Sequence, residues 1–387
     1  MADFLKKIVK KESSAVAAEI LKADKSLRIY CGDPSLDWCI GGWAKGRLNL
    51  VYGPTKSGKS AMTIMAAAQI QKEDGGYVII YDSEYYYKDD PDQMRRLETF
   101  GLDLNKTVII SSNRIGELFY GLGDLEEDVK KGKLKVSAII VDSWGGIQSE
   151  TAEKKIGDNK ANEAGASFGG NAKYLNPILG SLLRLSAENN ITLLAVQHCI
   201  KNQEQYGDKW ILLGGERLRY LAFRTLFVEG SSAKAGKLLD GDMTLDEAME
   251  ASEDKVEVAV GKKILARCEK SRSVVEGRKA EFYINFAECR FAKKELSLFN
   301  LATNLGIIVH PKNDEGKENV QWWQYPVSSP APLKVHGMAK MIDMLSKDEN
   351  LYKKVLNDCM NSNSQGGTKE KMTDVATTEA PEAEITA

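Results

Sequence analysis

The octapeptide Gly53-Pro54-Thr55-Lys56-Ser57-Gly58-Lys59-Ser60 constrains this chain more than any other segment. It follows a strand-like apolar run, LNLVY, and opens a helical one, AMTIMAAAQIQK. Glycines in such a turn let backbone N–H groups point inward as a nest for phosphate oxygens, and the start of the helix adds positive potential. The pattern G-x-x-x-x-G-K-[ST] between a strand and a helix is that of a phosphate-binding loop. Lys59 is then placed for the β- and γ-phosphates of a nucleotide, and the Ser60 hydroxyl for Mg²⁺.

Around the loop, short apolar runs alternate with helical stretches: 48–52, 77–81, 107–111, 137–141, 191–196 and 225–228. This rhythm predicts an α/β fold in which a mostly parallel sheet is covered by helices on both faces. Two more β-like runs, 262–268 and 280–287, flank the basic turn Glu269-Lys270-Ser271-Arg272-Ser273 and extend the sheet. Residues 1–30 read as a small basic helical appendage, with Phe4, Leu5, Ile8, Val9, Val16, Ile20 and Leu21 at helical spacing. The core is expected over 31–290 and a small C-terminal lobe over 291–360. Residues 361–387, with few apolar side chains, five acids and two lysines, are expected to form a disordered acidic tail.

Composition narrows the function. Six singly spaced cysteines and three histidines leave no zinc module and fit a reducing cytoplasm. No apolar run approaches the roughly 18 residues of a membrane span. With 53 basic against 55 acidic side chains, the net charge of -2 argues against a standing nucleic-acid-binding surface. The tail carries -3 of that, so the rest of the chain is close to neutral. Any DNA contact must come from local basic and aromatic segments.

A phosphate loop needs an acid to hold its metal. The apolar strand Ala138-Ile139-Ile140-Val141 ends in Asp142, the candidate Walker B carboxylate, although an aspartate there can also cap the next element. Tyr81-Asp82-Ser83-Glu84 ends another strand in acids, and ligands of parallel sheets gather at the carboxyl ends of strands. Glu84 is the candidate to orient and deprotonate an attacking water; a solvated acid beside a strand is the plainer reading. A third strand runs into Gln197-His198, where a polar side chain can sense a γ-phosphate.

Taken in order, these segments resemble the RecA recombinase family, and more closely its phage branch, the T4-type UvsX recombinases. The approach 33–47, the Asp82-Ser83-Glu84 triplet and the Asp142-Ser143 end are similar to the family's first core strand, catalytic-glutamate segment and Walker B end. Val196-Gln197-His198 is similar to the phage branch, where histidine stands at the γ-phosphate-sensing position that bacterial members fill with glutamine. The stretch 198–215 resembles the second DNA-binding loop, and Glu216-Arg217-Leu218-Arg219-Tyr220 the start of the helix behind it. Glu269-Lys270-Ser271-Arg272 resembles the strand pair whose basic residues reach the ATP of the neighbouring subunit. Two departures stand out. The segment Asp90-Pro91-Asp92-Gln93-Met94-Arg95, similar to the one that carries the family's adenine-stacking aromatic, has none; Tyr85, Tyr86 and Tyr87 lie nearer Glu84. The first DNA loop, about 150–170, is lengthened.

The resemblance implies an ATP- and Mg²⁺-dependent recombinase. Such a protein forms a helical homo-oligomeric filament on single-stranded DNA and exchanges strands with a homologous duplex. Its expected partners are a single-stranded-DNA-binding protein and a recombination mediator, in a host cytoplasm if the chain is phage-encoded. Lys201, Tyr206, Lys209 and Trp210 are the DNA candidates of the second loop, since aromatics stack on bases and lysines meet phosphates. An ordinary loop with Trp210 turned into the core is the alternative. Arg217 and Arg219, and Lys154 and Lys155 of the first loop, are further phosphate candidates. Lys270 and Arg272 alternate along a strand-like segment and can act as cationic fingers across a subunit interface. A hexameric replicative helicase shares this core, but 30 residues leave little room for a primase-contacting N-terminal domain. A regulatory P-loop ATPase would show no DNA-stimulated hydrolysis.

Overall fold

In a computed structural model, the described residues are 27–149, 170–202, 209–212, 216–231, 236–242, 259–313, 316–326 and 331–362. The N-terminal appendage 1–26, the first-loop candidates Lys154 and Lys155, Tyr206 and the acidic tail from 363 lie outside them. The chain divides into two compact units between Leu298 and Phe299.

The first unit is built on one large sheet. Its strands run in chain order after a short ribbon of β1 (Arg28–Ile29) and β2 (Trp43–Ala44): β3 (Leu48–Gly53), β4 (Tyr77–Asp82), β5 (Thr107–Ser111), β6 (Val136–Asp142) and β7 (Thr192–Lys201). They continue as β8 (Trp210–Leu212), β9 (Arg224–Gly230), β10 (Lys237–Leu238), β11 (Gly261–Ser271), β12 (Lys279–Asn285) and β13 (Arg290–Ala292). The spatial order is β13-β12-β11-β9-β3-β7-β6-β4-β5, with β10 on β11 and β8 on β7. From β9 to β5 all neighbours are parallel; β11, β12 and β13 add antiparallel strands beyond β9.

The parallel strands are apolar along their length because both faces are covered. All six residues of β3 are buried, and so are Val78, Ile79 and Ile80 of β4 and Ile139, Ile140 and Val141 of β6. Leu182 and Leu185, from the helix Gly170–Asn189, pack into the same core as Leu50, Ile139 and Leu193. On the helix Lys59–Asp74 residues all round the axis are buried, among them Met62, Ala66, Ala67 and Ile70, which explains its poor amphipathicity.

The expected basic turn at 269–273 begins later than its sequence suggests. β11 continues through Glu269 and Lys270 to Ser271, because a bulge between Cys268 and Lys270 restores its pairing with β9 at Thr225 and Arg224.

In the second unit, β14 (Trp322–Tyr325) and β15 (Leu333–His336) form an antiparallel hairpin, followed by the helices Met338–Lys347 and Glu349–Asn361. Phe299 meets Trp323 edge to face at 4.9 Å, and the Tyr325 hydroxyl donates to Asp358 at 2.8 Å. Among the described residues no helix is long and apolar enough to cross a membrane.

Candidate nucleotide site

Four adjacent strands deliver their carboxyl ends to one place. Gly53 closes β3 and pairs in register with His198 of β7, while Asp82 closes β4 beside Asp142 of β6. A cavity of about 440 Å³ opens over these ends, bordered by Thr55 to Ser60, Glu84, Asp142 and His198. This is the position the strand pattern implies for a ligand of an open α/β sheet.

The loop over β3 has the local chemistry for phosphate. At Gly53 a Cβ would stand 2.0 Å from the Val228 carbonyl oxygen of β9, so no larger residue fits this close approach. Gly58 begins the helix Lys59–Asp74 with φ +85° and offers no capping side chain, leaving the first-turn amides for another acceptor. The Ser57 hydroxyl is buried without a hydrogen-bond partner. Lys59 is buried and its ammonium donates to the Pro54 carbonyl at 2.7 Å; burial lowers its pKa, with Asp142 the leading opposing influence. An ammonium held in low dielectric without a direct carboxylate bond suits a polyphosphate.

Across from Lys59, Asp142 accepts a hydrogen bond from Ser60, and burial raises its carboxyl to about 6. These two oxygens fit a Mg²⁺ that takes its remaining ligands from water and phosphate. No cluster of three or more His, Cys, Asp or Glu among the described residues could hold a metal on its own.

Glu84 is tied down. Its Oε1 lies 2.8 Å from His198 Nε2 and accepts from the Ser143 hydroxyl at 2.6 Å. The hydrogen bond to His198 is the main reason its carboxyl is held down at about 2, with Ser143 adding to it. The other ring nitrogen of His198, Nδ1, is buried with no partner. The ends of β4 and β6 are interlocked by Ser83, whose hydroxyl donates to the Ser143 carbonyl at 2.7 Å and accepts from its N–H at 3.0 Å. Asp82 organises the loop that follows, accepting from the backbone of Glu84, Tyr86 and Tyr87 and from the Ser111 hydroxyl.

Lys59, Ser60, Asp142, Glu84 and His198 are thus brought together, and the remaining candidates stand elsewhere. β7 carries on past His198 to an exposed Lys201, where it pairs with β8. Trp210 lies half-buried on β8, tilted against Phe227 at 6.4 Å, with Lys209 over its ring at 5.5 Å. Lys209 also approaches Glu229 at 3.8 Å. Arg217 is exposed, and Arg219 reaches Glu269 at 3.4 Å. The Lys270 ammonium donates to the Arg219 carbonyl at 3.0 Å and to that of Tyr220, at the end of the helix Glu216–Leu221. Arg272 is exposed, and neither it nor Lys270 borders the cavity.

Several lining residues escape a reading of motifs. Tyr86, Tyr87, Gln93, Arg96, Leu97, Phe100 and Phe286 form much of the remaining cavity wall. They come from the segment after β4 and, 186 residues beyond Phe100, the turn after β12, so no local spacing joins them. Two signals point there: the segment 90–95, whose Gln93 borders the cavity, and the three consecutive tyrosines, of which Tyr86 and Tyr87 border it whereas Tyr85, at φ +57°, bonds Asn113 instead.

A phosphate loop on a central parallel strand, with acids at the ends of the neighbouring strands, defines a P-loop nucleotide-binding protein with a RecA-like core. Residues 8–223, more than half of the chain, match the RecA N-terminal domain. Protein RecA of Chlorobium chlorochromatii is 27% identical over 331 residues, which is 84% of this chain and 79% of that protein. Protein RecA of Acinetobacter baumannii (strain ATCC 17978) is 28% identical over 225 residues, 58% of this chain and 57% of its own length. The chain belongs to the RecA family. At family level that membership implies ATP-dependent recombinase function, with an ATPase that uses Mg²⁺, binds DNA and forms filaments.

Proposed function

We propose that this chain is a recombinase of the phage T4-type branch, which polymerises on single-stranded DNA, pairs it with a homologous duplex and exchanges strands under the control of ATP. One observation carries the reading: the Glu84–His198 contact lies at the carboxyl ends of the strands, and β7 runs without a break from His198 to Lys201 of the DNA candidate segment. Lys59 and the amides at the helix start hold the phosphates. Ser60, and Asp142 through water, would hold Mg²⁺, which would supply charge neutralisation at the phosphates.

A carboxylate held near pKa 2 is a poor base at neutral pH, so Glu84 must be released before it can take a proton from water. His198 supplies the release. When its ring turns to a γ-phosphate, Glu84 loses its main hydrogen bond and becomes a stronger base. The same displacement of His198 shifts the strand that leads into the loop, coupling nucleotide to DNA. Lys201 and Lys209 meet DNA phosphates, Trp210 and Tyr206 its bases, and Arg217 and Arg219 add contacts behind them. Lys270 and Arg272 complete the site of a neighbouring subunit; Lys270 must leave its two helix-end carbonyls to do so. A single-stranded-DNA-binding protein and a recombination mediator are the expected accessory partners.

The test is ATP hydrolysis measured with and without single-stranded DNA while the complexes are imaged. DNA-stimulated turnover and helical filaments are expected. Turnover indifferent to DNA, with no filaments, would favour a regulatory ATPase, and duplex unwinding by rings a helicase.

A further inference from the structure

The phosphate loop rests on strands that its motif does not include. A Cβ at Gly58 would stand 3.3 Å from Ile264 Cδ1 of β11 and 3.4 Å from Ile284 Cδ1 of β12, so the antiparallel extension of the sheet lies against the loop. From that extension one cation reaches the loop itself. Lys262, which faces Ile284 in the register of β11 with β12, donates from its ammonium to the backbone carbonyl of Lys56. Its stem crosses Gly230, the last residue of β9, where a Cβ would come within 2.8 Å of Nζ and 2.9 Å of Cε. A glycine there leaves the stem its path. The ammonium also stands 5.9 Å from the centre of the Phe286 ring. Burial lowers its pKa, and the charge of Lys56 lowers it further, so the ammonium is held here against a cost.

Lys56 needs a tether. Its φ of +59° lies in the left-handed region, which is unfavourable for a residue with a Cβ, and within the loop it shares that sign only with Gly58. The peptide that joins it to Ser57 is trans, so its carbonyl and the Ser57 N–H point in opposite directions. A Lys56 carbonyl drawn towards Lys262 therefore sends the Ser57 N–H the other way. We propose that Lys262 is a positioning residue of the phosphate loop: by holding the Lys56 carbonyl outward, it keeps the Ser57 N–H turned to the phosphate side before any nucleotide arrives. The inference rests on the reading of the cavity as a nucleotide site. Without the tether the peptide between Lys56 and Ser57 is free to turn over, and only a fraction of molecules presents the finished nest. The apparent Kd then rises by the inverse of that fraction. Lys262 does not itself border the cavity, so ground state and transition state lose equally and the defect falls on affinity rather than on the chemical step.

The experiment titrates the full chain, without DNA, with a fluorescent ADP analogue and Mg²⁺, and separately follows ATP turnover on single-stranded DNA as ATP is raised. Lys262→Met keeps the stem and removes the ammonium. If about one molecule in five then keeps the productive loop, it should bind the analogue about fivefold more weakly and raise KM for ATP by a similar factor, with kcat within about twofold of wild type. Lys262→Arg, which can still donate, should recover most of the affinity. Gly230→Ala, which crowds the Lys262 ammonium, should weaken binding in the wild-type background and add nothing to Lys262→Met, because both act through one contact. Wild-type affinity in Lys262→Met overturns the assignment, as does a loss that falls on kcat with KM unchanged, or additive losses in the double variant. If Lys262→Met does not fold, Gly230→Ala decides: weaker binding with kcat kept supports the tether, and unchanged binding overturns it. Failure of the wild-type chain to bind the analogue overturns the reading of the site itself.

Discussion

Replacing Asp142 by asparagine should make the protein more stable and less useful. In the fold Asp142 lies at the end of β6, where burial raises its carboxyl from 3.8 to about 6, a net result that already includes the hydrogen bond from Ser60 and the attraction of Lys59. A rise of that size corresponds to a penalty of about 3 kcal/mol for keeping the group ionised. The residue keeps part of its surface open to the cavity, so solvent screening reduces the expected gain of Asp142→Asn to about 1–2 kcal/mol. The sign follows from the direction of the shift. A raised folded-state pKa costs nothing below 3.8, where the group is protonated folded and unfolded, and the cost grows as pH rises through about 6. Urea denaturation with chelator and no nucleotide should therefore show the variant ahead at pH 8 and level with wild type near pH 4. Added MgATP should invert the order at pH 8, since a ligand at 100 times its Kd contributes about 2.7 kcal/mol and the variant lacks the carboxylate proposed to retain the metal. A variant no more stable than wild type at pH 8, or a gain equally large at pH 4, would refute the argument that Asp142 is held ionised at a cost for the sake of a cation.

Glu84→Gln should retain ATP binding and lose nearly all hydrolysis; turnover within about threefold of wild type would remove Glu84 from the role of base. Lys201→Ala and Lys209→Ala together should leave nucleotide affinity unchanged and flatten the salt dependence of single-stranded DNA binding by about 1.4 in log–log slope, about 0.7 for each phosphate contact. An unchanged slope in filter-binding titrations would take the paired ends of β7 and β8 out of the DNA interface. Trp210 is a poorer probe, because its ring packs on Phe227 and its loss would disturb the fold. Lys270→Ala/Arg272→Ala subunits should regain part of their ATPase when mixed with Glu84→Gln subunits, as each interface needs only one intact partner of each kind. Absence of any recovery in filaments shown to be mixed would place both residues outside the neighbouring site.

The sheet was legible because strands buried on both faces carry their signal locally. The run 107–111 coincides with β5, and the runs ending at Tyr52 and Val141 stop one residue short of the Gly53 and Asp142 that close β3 and β6. The phosphate loop was legible for the same reason, since a contiguous octapeptide makes the whole nest. What stayed hidden depends on contacts between distant segments. Nothing in Phe286 announces that it borders the same cavity as the segment after β4, and the spacing of Lys270 and Arg272 does not reveal that the Lys270 ammonium sits on the carbonyls of Arg219 and Tyr220. The bulge at Glu269 is likewise invisible, because it is set by the register of β11 against β9.

That engagement of Lys270 bears on how a nearly neutral chain handles DNA. Arg219 reaches Glu269, Lys209 approaches Glu229, Arg267 bonds Glu269, and Lys270 caps a helix end, so several cations of the DNA candidate region are already matched by acids or carbonyls. A surface arranged in this way has little standing attraction for a polyanion, consistent with the net charge of -2. Binding through these residues would exchange such pairs for phosphate: the exposed Lys209–Glu229 pair, worth less than about 1 kcal/mol, yields readily, whereas Arg219 and Arg267 share a largely buried Glu269 that resists losing both. The pairs act as a threshold: one subunit gains little from exchanging them, whereas many subunits aligned on one strand gain together. If these cations meet DNA, affinity should rise steeply with the length of the strand, because exchanging the pairs repays only when many subunits do so together; exposed Lys201, Arg217 and Arg272 are then the cations open to a first contact.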